Sequence, residues 1–188
     1  MTSVTGQAKL TVYTADAASV SVKLKGFDVE YDALHIPSHT SARFTAQCSI
    51  AADFTKTTGL PFAPKVYYLL PHTHTLATAF FASVKGGVND GEKLLDLGAF
   101  NGEGRGKTFD PPVEMTGADG FVFGCQYDNT RDRAVGWGFG QDEMCELFGF
   151  ADAGAFFNSR VNVNTPMGQD GDVSLLQGPC EHEVFQPN

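Results

Sequence analysis

Apolar and polar residues alternate along much of the chain with a period of two, the spacing that sends successive side chains to opposite faces of a strand. The alternation is plainest in Ala8-Lys9-Leu10-Thr11-Val12-Tyr13-Thr14 and Ser19-Val20-Ser21-Val22-Lys23-Leu24, both rich in β-branched residues. Both are read as strands. Further strands are expected at Gly26 to Tyr31, Ala42 to Ile50, Lys65 to Leu70 continuing through His72 and His74 to Val84, Lys93 to Phe100, Gly120 to Gln126, Glu146 to Phe150 and Val173 to Leu176. Turn clusters separate them, such as Lys85-Gly86-Gly87-Val88-Asn89-Asp90-Gly91 and Asn101-Gly102-Glu103-Gly104. Helical patterning is scarce, with only Ala151 to Asn158 offering a turn or two. Many short strands imply an all-β sandwich or jelly roll. No repeat or linker divides the chain, so residues 1–25 are expected to be N-terminal strands or an extension on one domain spanning 26–188.

Composition narrows the classes of function. A chain of 188 residues buries one core of ordinary size. Its formal charge of -9 opposes binding to phosphate backbones or anionic lipid. No run of 18 apolar residues offers a membrane span. The start, Met1-Thr2-Ser3-Val4-Thr5-Gly6, lacks the basic and apolar regions of a signal peptide, so an exported protein would here be in mature or trimmed form. Cys48, Cys125, Cys145 and Cys180 are spaced too widely for a Cys-x-x-Cys site, and their even number suits two disulfides. Spacing leaves all three connectivities open. Disulfides would place the protein in an oxidising compartment: secreted, periplasmic or in the cell envelope.

The chemistry lies in Pro71-His72-Thr73-His74 and in Asp142-Glu143-Met144-Cys145. In an extended strand, residues i and i+2 share a face, so the two imidazoles can converge without help from the rest of the fold. Taken alone, such a pair also suits two surface histidines, and a lone methionine suits core filling. Together, two imidazoles and a thioether select a soft, redox-active metal, since sulfur binds Cu(I) well and Mg, Ca or Mn poorly. Asp142 and Glu143 are candidates to orient the ligands from behind.

His72-Thr73-His74, then Cys125-Gln126-Tyr127-Asp128-Asn129-Thr130, then Gly136-Trp137-Gly138-Phe139-Gly140-Gln141-Asp142-Glu143-Met144-Cys145 resemble the C-terminal catalytic domain of the copper type II, ascorbate-dependent monooxygenases. This is the family of peptidylglycine α-hydroxylating monooxygenase and dopamine β-monooxygenase. The resemblance runs from about Phe27 to Cys180. It implies an antiparallel jelly-roll sandwich, one copper held by His72, His74 and Met144 at which oxygen is activated, and disulfides Cys125–Cys145 and Cys48–Cys180.

The departures from that family also carry meaning. Its enzymes hold a second copper on three histidines of a preceding domain, for which this chain has no room, so electrons are expected from a partner protein, a separate domain or a reductant such as ascorbate. Where the peptide-amidating branch grips a carboxylate with Arg, Asn and Tyr, the corresponding residues here are Leu70, Glu146 and Phe148. That set disfavours peptide amidation. His35 and His39 flank a proline turn and are expected in a solvated loop, and His182 is expected to be exposed. Gly102-Glu103-Gly104-Arg105-Gly106-Lys107-Thr108 lacks the first glycine and the helix of a phosphate-binding loop and is read as a turn. Asp128 and Asp132 are read as loop acids and Trp137 as a packing anchor. Two non-catalytic readings stand beside the enzyme: a copper carrier or sensor, and a recognition module on the same sandwich.

Overall fold

The computed structural model describes residues 6, 7, 9–99 and 105–186. Its strands are β1 (Lys25–Tyr31), β2 (His35–Ile36), β3 (Thr40–Ser49), β4 (Lys65–His72), β5 (Ala77–Lys85), β6 (Lys93–Leu97) and β7 (Lys107–Glu114). They continue with β8 (Gly120–Asn129), β9 (Val135–Gly136), β10 (Glu146–Asp152), β11 (Phe156–Val161), β12 (Thr165–Asp170), β13 (Val173–Pro179) and β14 (Glu181–Phe185). A front sheet runs β14-β11-β1-β10-β4-β7 and a back sheet runs β12-β13-β3-β8-β5-β6, with β2 and β9 forming a small separate ladder. The molecule is thus an all-β sandwich. Pairing is antiparallel except between β1 and β11 and between β13 and β3. Those partners are far apart in sequence, so no hairpin forces them to run in opposite directions.

The inward positions of the two sheets make the core. On β1 these are Phe27, Val29 and Tyr31, and on β8 Phe121, Phe123, Cys125 and Tyr127, all buried. Phe27 stacks on Phe121 with ring centroids 5.3 Å apart, and Tyr31 meets Phe44 of β3 edge-on at 5.4 Å, so aromatic contacts cross the space between the sheets. Each fully buried Phe contributes about 2–3 kcal/mol relative to exposure. Gly149 on β10 is required because a Cβ there would collide with the Phe27 ring.

Three sequence expectations need correction. Residues 9–24 form no strand; they contain one short 3₁₀ turn, Ala17–Ser19, capped by Asp16, and Leu10, Val12 and Tyr13 are exposed. Alternation specifies which side chains share a face, but a strand also needs a neighbour for its N–H and C=O groups. Among the described residues no strand pairs with this segment. Second, Ala151 to Asn158 is the end of β10 and the start of β11, not a helical turn, because Phe157, Ser159 and Val161 alternate inward. The helix is instead α1 (Ala51–Thr58), closed by Gly59 in a left-handed conformation (φ 72°), with Phe54 packed on Phe62 and Phe157. Third, the strand expected to run through His74 stops at His72, and a turn precedes β5. Phe100 and Asn101 to Gly104 lie outside the described residues; from Lys107 the chain is an edge strand, where Pro111 and Pro112 are tolerated.

Candidate metal centre

His72 is the last residue of β4 and lies opposite Glu146, the first residue of β10. His74 follows in the turn, yet its ring stays 5.2 Å from that of His72, perpendicular to it. The convergence anticipated from strand geometry is therefore achieved by a strand end and a turn. Burial first, and then the neighbouring His74, hold His72 below the usual imidazole range, so its ring is neutral near pH 7 with a lone pair to give.

Five consecutive residues, 142 to 146, are each fixed to this region. The Asp142 backbone carbonyl accepts a hydrogen bond from His74 Nδ1 at 2.6 Å. Because a carbonyl only accepts, Nδ1 carries the proton and the lone pair of His74 is on Nε2. The Glu143 carboxylate accepts from the backbone N–H groups of His74 and Leu76, each at 2.9 Å. The Met144 carbonyl accepts from the Tyr127 hydroxyl at 2.6 Å. Cys145 forms a disulfide with Cys125, their Cα atoms 5.9 Å apart. Glu146 pairs with His72 across the sheet. Met144 thus stands between residues that grip the histidine turn on one side and β8 on the other.

The chemistry of the donor set fits a soft metal. Met144 is buried at 4 % exposure but does not belong to the contiguous apolar core, so its thioether is withdrawn from solvent without serving as core filling. Glu143 is fully buried, and both of its oxygens hold backbone N–H groups, so it orients the turn and is not itself a ligand. Burial raises its pKa, while those two N–H groups favour the charged form. Among the described residues no three His, Cys, Asp or Glu side chains converge as a metal-binding group. Were the Met144 sulfur to join the two imidazoles, the set would be one that favours copper.

The Asp142 side chain turns away from the histidines to Arg133 at 2.8 Å, and the Arg133 and Arg131 guanidiniums both donate to the Gln141 carbonyl. These arginines and Tyr127 were not singled out from the sequence. Tyr127 had a signal, since it lies two residues after Cys125 and shares its inward face. The second disulfide, Cys48–Cys180, joins β3 to the junction of β13 and β14, and both pairings are those the resemblance implied. Two disulfides fit an oxidising environment.

The remaining residues lie elsewhere. His35 is exposed on β2, and exposed His39 contacts Asp132 at 2.9 Å. His182, expected to be exposed, is half-buried on β14, where its Nδ1 lies 2.8 Å from the Ser159 hydroxyl; the strand pairing of β14 with β11 draws it in. Asp128 accepts from the Ser41 hydroxyl at 3.1 Å. Trp137 is 37 % exposed beside Phe139, at the loop leading to Met144. Leu70, Glu146 and Phe148 all lie on the outward face of the front sheet with His72: Leu70 pairs with Phe148, as His72 does with Glu146. The His72 and Phe148 rings are 6.4 Å apart. No helix is long and apolar enough to cross a membrane among the described residues. No protein-family model matches the chain. No curated protein matches it either.

Proposed function

We propose that the chain is a mononuclear copper protein of the monooxygenase type, with His72, His74 and Met144 as ligands. The observation that carries this reading is the run of attachments from 142 to 146, which ties the backbone on both sides of the buried Met144 to the histidine turn and to β8, with the His74 Nε2 lone pair left available. Copper bound there would supply one-electron chemistry and oxygen activation. The chain's own contribution is to hold the ligands. The Asp142 carbonyl fixes the His74 tautomer, Glu143 shapes the turn, and the Cys125–Cys145 bridge with the Tyr127 hydrogen bond anchors the methionine backbone.

Leu70, Glu146 and Phe148 beside His72 offer no cation to a substrate carboxylate, which argues against peptide amidation. Reducing equivalents come from outside, from ascorbate or a donor protein, and the protein works in a secreted, periplasmic or envelope setting. The test is Cu(I) and Cu(II) binding to the oxidised protein, with oxygen consumption measured in the presence of ascorbate. One copper per chain with ascorbate-dependent oxygen uptake supports the reading. Stoichiometric copper without uptake moves it to copper carriage, a second reading favoured by the placement of His39 and His182 on partners of their own, away from the pair.

A further inference from the structure

The outward face of the front sheet departs from the polar surface that usually clothes a sandwich. Strand register arranges it in two bands. The band that runs from the level of His72 to that of Phe148 is acidic: Glu146 on β10, Glu30 on β1 and Glu181 on β14 share the row of His72, Asp28 and Glu183 share the row of Phe148, and Asp32 follows β1. Arg160 of β11 is the cation among them, bonded to Glu30 and lying 3.0 Å from Asp32. One oxygen each of Asp28 and Asp32 is buried without a hydrogen-bond partner among the described residues. Glu146 is 7 % exposed, and among the described residues no donor reaches its carboxylate.

The second band is aromatic. Tyr68, Phe150, Phe156 and Phe185 follow one another across four strands, with Gly26 of β1 between the two middle rings. A Cβ at Gly26 would just touch both, 3.9 Å from Phe150 and 4.0 Å from Phe156, so the glycine leaves a shallow gap in the row. Phe150, Phe156 and Phe185 are 49, 40 and 53 % exposed. Phe148, 37 % exposed, links this row to His72. A row of part-exposed aromatic rings, with the Lys25 ammonium 4.9 Å from the Phe156 centroid, beside carboxylates that outnumber their cation, is a surface suited to a partner.

We propose that this face is the docking surface for a protein that presents lysines or arginines beside an apolar centre. The aromatic band supplies the desolvated contact, and among the described residues the carboxylates of the acidic band outnumber the one guanidinium, Arg160, that pairs with them. A second copy is the wrong occupant, since it brings the same carboxylates and a formal charge of -9. His72 stands at the corner of the face, so a partner seated here lies next to a candidate copper ligand. The docking itself is independent of copper, and its test is made on metal-free protein.

Reduced cytochrome c is a suitable probe, because lysines ring its apolar haem edge. Titrated at low salt into the full, oxidised, isotope-labelled chain, it should shift amide resonances of β1, β10, β11 and β14, with binding that weakens as salt rises. Phe150→Ser and Phe156→Ser, at exposed positions that leave the core intact, should each weaken binding about fivefold. Glu146→Gln combined with Asp28→Asn should do the same and flatten the salt dependence. Asp96→Asn and Asp170→Asn on the back sheet should change neither. Shifts centred on the back sheet, or equal losses from the front and back carboxylate variants, would overturn the assignment. So would self-association in the absence of probe that Phe150→Ser abolishes, since the occupant would then be a second copy.

Discussion

Glu143 and Glu146 stand three residues apart, both withdrawn from solvent, and they meet opposite fates. Glu143 is saturated: each oxygen takes a backbone N–H from the histidine turn. Glu146 has no donor among the described residues, and burial, then Glu30 and Asp32, push its pKa up to about 7. A buried carboxylate whose hydrogen bonds are complete is part of the frame, whereas one held among other carboxylates without a protein donor costs stability when it is charged. The difference separates the part of the molecule that holds the candidate ligands from the part that faces outward.

The comparison can be broken first at the frame. Removing the Cys125–Cys145 bridge by a double alanine substitution should destabilise the protein by about 3 kcal/mol, because it frees a loop of sequence separation 20 in the unfolded chain. Urea unfolding measures this. Glu143→Gln should come next, at about 1–3 kcal/mol, since its amide NH₂ must face one of the two backbone N–H donors. Copper affinity should fall with it. Equal stability of Glu143→Gln and wild type would show that the two N–H contacts do not hold the turn.

On the open side the sign reverses. Burial, then the charges of Glu30 and Glu146, raise Asp28 to about 7 against the opposing pull of Arg160, with Asp32 adding to the rise. A carboxyl whose folded pKa lies above its unfolded value of 3.8 takes up protons on folding, so its contribution is lost as pH climbs from about 4 through 7. Asp28→Asn should therefore stabilise the protein by about 1–2 kcal/mol at pH 8 and leave it unchanged below pH 4. Thermal unfolding across that range checks both halves. Phe150→Ser should have the smallest effect, within about 0.5 kcal/mol on unfolding, because its ring is half in water.

The legible parts of the molecule were those written locally. His72, His74, Met144 and the four cysteines belong to short motifs, and most central strands announced themselves by alternation. Residues 9–24 carry the same alternation as β1, yet only β1 finds neighbours, β10 and β11. Pattern alone could not tell them apart. The acidic and aromatic bands were invisible for a related reason: Phe148, Phe150, Phe156 and Phe185 come from three strands, and only the pairing of β10, β1, β11 and β14 sets them side by side. Tyr127 belongs to the core, but its hydroxyl also fixes the backbone of Met144, a role that depends on a partner 17 residues away and is not written in its own motif.

The central claim, that a buried thioether completes a two-histidine centre, is tested most directly by X-ray absorption and competitive titration of the Cu(I)-loaded protein beside Met144→Ile. Two nitrogen scatterers and one sulfur in the wild type are expected, with loss of the sulfur and about tenfold weaker Cu(I) binding in the variant, while Cu(II) binding to His72 and His74 is largely kept. Identical spectra and Cu(I) affinities for the two proteins would remove Met144 from the site and contradict the account.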